Sequence, residues 1–128
     1  LGDLKKFIDK DIDYTGIDFV ENVAKMANDR NPDTKVILGD VFNHDFKSKF
    51  DAVVCNGAFN MGYNTDKVLE VLKIMDDLSN VISLMTISYA QDSDIKEFRN
   101  LGYRIIPTRS IWNSRVDELC IIKDKPTF

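Results

Sequence analysis

Histidine is almost absent from this sequence: His44 stands alone, with no cysteine or second histidine near it at ligand spacing. That speaks against a structural zinc site, which needs several Cys or His ligands at short intervals. As a loop residue, His44 reads as solvated rather than as a catalytic base. Cysteine is scarce too. Cys55 and Cys120 each sit inside an apolar run, where free buried thiols are expected rather than a disulfide, and this points to a reducing cytoplasm. No apolar run approaches the roughly 20 residues that a membrane-spanning helix needs, so no membrane association is indicated. Basic clusters are missing as well, with 17 Lys and Arg against 21 Asp and Glu and a net charge of -4. Such a balance speaks against non-specific attachment to a nucleic-acid backbone. The acid pairs Asp76-Asp77 and Asp92 with Asp94 look like solvated faces and helix caps, not a di-carboxylate catalytic site.

What is present is an alternation of helix and strand patterns, without repeats, low-complexity tracts or linkers. The length of 128 residues suits one domain with one core. Leu4, Phe7 and Ile8 form a short helix stripe, and Tyr14 to Asp18 reads as a strand. Val20, Val23, Ala24 and Ala27 recur at helical spacing until Asn31-Pro32-Asp33 stops the helix. Lys35 to Leu38 is the next strand, followed by an irregular polar stretch from Phe42 to Lys49. Ala52-Val53-Val54-Cys55 is a continuous apolar run, as expected of a strand covered on both faces. Thr65 or Asp66 caps a helix carrying Val68, Leu69, Leu72 and Met75, and Val81 to Ser88 is a long strand. Asp92 or Ser93 caps a helix with Ile95, Phe98 and Leu101, closed by Gly102. Tyr103 to Thr108 and Glu118 to Lys123 read as an antiparallel pair at the sheet edge. The pattern predicts an α/β domain with a mostly parallel sheet.

Ligands of open parallel sheets bind outside the carboxyl ends of the strands, and two aspartates stand there. Asp18 ends Tyr14-Thr15-Gly16-Ile17-Asp18, and Asp40 ends Val36-Ile37-Leu38-Gly39-Asp40. Carboxylates on neighbouring strand ends can accept hydrogen bonds from a ribose and from an exocyclic amine, which suits an adenosine-containing ligand. Each aspartate also has an ordinary reading, Asp18 as a helix cap and Asp40 as a turn residue. Asn56, Phe59 and Asn60 lie in the loop after the Ala52 strand, although Asn56-Gly57 is also common turn chemistry. Phe59 or Tyr63 would suit stacking on a ring, or local packing. Tyr89 and Trp112 would suit a substrate pocket, with edge packing the stronger reading for Trp112.

The order of these elements resembles the class I S-adenosylmethionine-dependent methyltransferases over nearly the whole chain, from Gly2 to about Lys123. The resemblance implies a three-layer Rossmann-like methyltransferase sandwich, strand order 3-2-1-4-5-7-6, mostly parallel with an antiparallel last strand. Leu1-Gly2-Asp3-Leu4 resembles the tail of the family's glycine-rich loop, with Gly2 its last glycine. Ile17-Asp18-Phe19 resembles the acidic end of the second strand, which binds the ribose hydroxyls. Gly39-Asp40-Val41 resembles the motif that meets the adenine amine. Asp51 to Asn60 resembles the fourth strand and its loop, where backbone around Asn56 and Gly57 faces the methionine end. The implied cofactor-binding set is therefore Gly2, Asp18, Phe19, Gly39, Asp40, Val41, Asn56 and Gly57, and the implied cofactor is S-adenosylmethionine. No catalytic residue and no metal ligand is implied.

The family's first strand and earlier glycines are not in this sequence, so the expectation is a single methyltransferase-like domain over 1–128, truncated at its N-terminus. Without that strand, two inner edges are left unpaired or the second and fourth strands pair directly. The Asn-Pro-Pro-Tyr pattern for amino-nitrogen methylation is replaced by Asn56-Gly57-Ala58-Phe59, which makes methylation of DNA adenine or protein glutamine a poor fit. The function expected is methyl transfer to a small-molecule acceptor. The alternatives are a non-catalytic methyltransferase-like binding domain, or another adenine-nucleotide-binding Rossmann-like protein, for which NAD would be the preferred ligand.

Overall fold

Short runs of β-branched residues separated by polar helices favour parallel pairing, because each helix supplies the crossover that a parallel pair requires. The computed structural model describes residues 11–58, 64–88, 90–109 and 117–126. The chain divides into two compact units, Leu1–Asp45 and Phe46–Phe128. The stripe of Leu4, Phe7 and Ile8, and the residues Gly2, Phe59, Asn60, Tyr63, Tyr89 and Trp112, lie outside the described residues.

In the first unit, β1 (Thr15–Asp18) pairs in parallel with β2 (Lys35–Leu38), Thr15 opposite Lys35 and Asp18 opposite Leu38. The crossover is α1 (Glu21–Arg30). Asn31 ends it: the Asn31 side-chain amide donates to the Ala27 carbonyl at 3.2 Å, and the Thr34 hydroxyl donates to the Asn31 carbonyl at 2.7 Å. The helix stripe needs correction. Ala24 is buried and Ala27 half-buried, but Val23 is 41% exposed, and Val20 is the equally exposed N-cap outside the helix. A ladder of two four-residue strands is a narrow surface, and one row of small alanines covers it.

In the second unit the sheet order is β3 (Phe50–Asn56), β4 (Ser79–Ile87), β6 (Asp117–Asp124), β5 (Arg104–Arg109). β3 and β4 are parallel, whereas β6 runs antiparallel to both its neighbours. The helices are α2 (Thr65–Leu78) and α3 (Asp92–Asn100). Val68, Val71, Leu72 and Met75 of α2 are buried, with Leu69 half-buried, and Phe98 of α3 is fully buried. Met85 and Ile87 of β4 and Ile121 of β6 complete the core. Each such side chain contributes roughly 1.5–3 kcal/mol of transfer free energy when fully buried. Leu101, expected on the core stripe, is instead 51% exposed, because the helix has ended and Gly102 turns the chain at φ 88.

The helix caps also shift by a residue or more. Asn64 caps α2, its side-chain oxygen accepting the Lys67 N–H at 3.3 Å. Gln91 caps α3, with Asp94 accepting the Gln91 N–H at 3.0 Å to close a capping box. Asp94 is itself buried and accepts the Thr65 hydroxyl at 3.0 Å, which ties the starts of α2 and α3 together.

The apolar run 52–55 is not covered on both faces. Ala52 and Val54 are exposed, Val54 by 62%, while Val53 and Cys55 are half-buried. β3 has β4 as its ladder partner and stands at the end of the described sheet, and the face that carries Ala52 and Val54 is open. Direct pairing of β1 with β3 is not among the described ladders.

Candidate functional site

A parallel ladder brings the carboxyl ends of its strands to one side. In the first unit, Asp18 therefore ends β1 beside the end of β2, and Asp40 follows Leu38 by two residues. The ladder runs on past β2, since the Gly39 N–H donates to the Asp18 carbonyl at 2.9 Å. Asp18 is half-buried, and its Oδ1 accepts the Val20 N–H at 2.8 Å. Its Oδ2 has no partner among the described residues, so this carboxylate keeps most of its acceptor sites for a ligand. It is not the helix cap; it turns the chain three residues before the helix begins, at the N–H of the N-cap Val20.

Asp40 is exposed and more fully engaged. Its Oδ1 accepts the Phe42 N–H at 3.0 Å and its Oδ2 accepts the Asn43 side-chain amide at 2.8 Å. Its carbonyl accepts the N–H groups of Asn43 at 3.0 Å and His44 at 2.9 Å. Asp40 thus organises the turn from 40 to 44. Phe19, directly after Asp18, presents its ring to solvent at 77% exposure, whereas Gly39 and Val41 are half-buried.

The second unit has its own strand-end cluster. Asn56 lies opposite Thr86 in the β3–β4 ladder. The Gly57 N–H donates to Thr86 Oγ1 at 3.2 Å, and that hydroxyl donates to Asn56 Oδ1 at 2.5 Å. Gly57 has φ 71, in the left-handed region where a β-carbon is unfavourable. Thr86 escapes a reading by motif, because it reaches Asn56 through the ladder register and not through spacing along the chain. Asn43 escapes for a different reason, since a polar residue in an irregular stretch carries no periodic signal. Close by, burial pushes the Cys55 thiol up, against a hydrogen bond to the Ala58 backbone that lowers it. Cys120 is likewise raised by burial, with the Arg104 charge opposing. Among the described residues no group of three or more His, Cys, Asp or Glu is placed to hold a metal ion.

The family profile described as "Methyltransferase domain" matches residues 3–75, more than half of the chain and inclusive of Asp18, Asp40 and Asn56. The chain belongs to this methyltransferase-domain family. Its sheets agree: the first unit supplies the family's 3-2 strand pair and the second its 4-5-7-6 order with the antiparallel member in place.

Solved structures share the methyltransferase domain's fold at low identity. Magnesium protoporphyrin IX methyltransferase from Synechocystis PCC 6803, solved with bound SAM, superposes with a TM-score of 0.67 at 14% identity, over 86% of this chain and 59% of its own. The N-methyltransferase NodS from Bradyrhizobium japonicum WM9 gives 0.64 at 11% identity, over 90% of this chain and 74% of its own. An rRNA methylase from Streptococcus thermophilus gives 0.61 at 15%, with coverages of 90% and 74%. The methyltransferase domain described here therefore spans somewhat under two thirds of the porphyrin enzyme's length. No curated protein sequence matches the chain.

Proposed function

We propose that this methyltransferase domain transfers a methyl group from S-adenosylmethionine to a small-molecule acceptor. The observation that carries the reading is the pair Asp18 and Asp40 at the carboxyl ends of adjoining parallel strands, with Asp18 Oδ2 open to a ligand. Asp18 takes the ribose hydroxyls, Asp40 the adenine amine, and the exposed Phe19 ring a base face; Gly39 and Val41 shape the same strand end. Gly2, and separately Asn56 and Gly57 at the strand ends of the second unit, are the other residues that the family resemblance assigns to cofactor binding. The small-molecule preference is supported by the acidic charge balance and by the porphyrin and NodS methyltransferases among the similar folds. When bound, the sulfonium supplies a methyl carbon that is already electrophilic, so the protein's task is to align nucleophile, methyl and leaving sulfur.

Calorimetric titration of the full-length protein tests this. S-adenosylmethionine and S-adenosylhomocysteine are expected to bind and NAD is not. A carboxylate on ribose hydroxyls makes charge-assisted hydrogen bonds of roughly 1.5–3 kcal/mol each, so Asp18→Ala is expected to weaken binding about tenfold or more. Asp40→Ala is expected to cost less, because water replaces a single amine contact. Binding of NAD alone, or an unchanged affinity in Asp18→Ala, overturns the reading. Binding of both adenosyl ligands with no turnover on any acceptor would leave the non-catalytic alternative standing.

A further inference from the structure

Asp40 is exposed, yet both oxygens of its carboxylate are held in place. Its backbone is anchored first. The preceding Gly39 N–H donates to the Asp18 carbonyl at 2.9 Å, and the Asp40 carbonyl accepts the N–H groups of Asn43 at 3.0 Å and His44 at 2.9 Å. The remaining freedom lies in the side chain, and two bonds restrict it. Oδ1 accepts the Phe42 N–H at 3.0 Å, and Oδ2 accepts the Asn43 side-chain amide at 2.8 Å. With the Phe42 bond alone the carboxylate could turn about that contact; the Asn43 bond fixes its plane. A carboxylate has no proton to give, so the NH2 end of the Asn43 carboxamide is the end that faces Asp40. Such a group offers about four acceptor sites, and these bonds occupy one on each oxygen. Each oxygen keeps another site, aimed in a set direction.

We propose that Asn43 is a positioning residue that determines base specificity: it holds the Asp40 carboxylate in the orientation that selects a 6-amino purine over a 6-oxo purine. This rests on the S-adenosylmethionine reading above and adds the residue that makes its adenine contact selective. A fixed carboxylate accepts from an exocyclic amine, whereas a 6-oxo group sets acceptor against acceptor, the repulsive half of any specificity. A carboxylate free to swing into solvent would lose the contact with the first ligand and escape the repulsion with the second. Asn43 is itself exposed, and the turn is closed by its backbone N–H on the Asp40 carbonyl. Substituting its side chain therefore removes the bond to Oδ2 while the backbone of the turn stays bonded.

The test is calorimetric titration of the full-length protein with S-adenosylhomocysteine and with S-inosylhomocysteine, which differ at the 6-position of the purine. The parent is expected to prefer the adenosyl ligand about tenfold or more, the worth of one charge-assisted hydrogen bond. Asn43→Leu removes the donor, and Asn43→Asp puts a second acceptor in its place at the same size. In both, the preference is expected to fall to about threefold or less. In an Asp40→Ala background the same two substitutions are expected to change the preference no further, because Asn43 acts through that carboxylate. A purely structural contribution to the turn would weaken both ligands by the same factor and keep their ratio. The proposal is overturned if the Asn43 variants keep the parent's ratio, if the parent binds both ligands equally, or if Asn43 still moves the ratio once Asp40 is gone. A parent that binds neither ligand would strike the S-adenosylmethionine reading itself, and this inference with it.

Discussion

Two glycines of the proposed set behave oppositely when a methyl group is added. Gly57, at φ 71, is in the left-handed region, where an L residue costs roughly 1–2 kcal/mol. Gly57→Ala is expected to lower the urea midpoint by a corresponding amount. Gly39 has no positive φ, and a β-carbon there would meet His44 Nδ1 at 3.5 Å and the Ile17 side chain at 3.6 Å, ordinary contacts. Gly39→Ala is expected to stay within about 0.5 kcal/mol of the parent. Tyr103 carries a third expectation. Burial, with the charges of Asp76 and Asp77 adding to it, pushes its phenol up to about 12. Its hydroxyl donates to the Leu72 carbonyl at 3.2 Å, a bond that ionisation would remove. The unfolded phenol ionises near pH 10, so between about pH 10 and 12 the unfolded state holds fewer protons and stability falls as pH rises. Tyr103→Phe is expected to flatten that alkaline decline in denaturation curves measured across the window.

At the scale of elements, α2 and α1 make a matched pair. Val71→Asp places a charge at a position 2% exposed, which is expected to prevent folding or cost more than about 4 kcal/mol. Val23→Asp, on the open side of α1, is expected to cost under about 1 kcal/mol by the same assay. The α2 stripe was legible because a long helix under a four-stranded sheet repeats its apolar spacing for several turns. The α1 stripe misled because valine and alanine at the same spacing do not say how wide a surface lies beneath them. β3 misled for a related reason: whether Val54 is covered depends on neighbours that are far away in sequence. The α2 terminus shows a further long-range dependence. It carries Asp76 and no basic residue in its last turn, and the cations come from β6 and the residue after it. Lys123 Nζ lies 2.9 Å from Asp76 Oδ2, while Lys125 Nζ lies 3.6 Å from Oδ1 and donates to the carbonyls of Asp76 and Ser79. A charge with that placement complements the helix dipole.

For the molecule as a whole, the succession of helices and strands along the chain was legible where each element had a clear period, the order of strands across the sheet came from the family resemblance alone, and the carboxylate pair followed from two short motifs. Thr86 was not, since only the ladder register sets it against Asn56. Protection from hydrogen exchange is expected to follow the two-unit division. Amides of β4 and β6 in the second unit, flanked on both sides by ladder partners, are expected to exchange slowest; those of the two-stranded β1–β2 ladder are expected to exchange faster. Uniform protection across both sheets would contradict this.

The burial of Cys120 and the partial burial of Cys55 have a practical side. Thiol reagents attack the thiolate, and both native thiols are shifted away from that form. At neutral pH the folded chain should consume maleimide slowly, and a cysteine introduced at exposed Glu21 should be modified first. The native sequence is thus a quiet background for placing a single fluorophore beside Asp18, where ligand arrival could be followed by its emission without removing either natural cysteine.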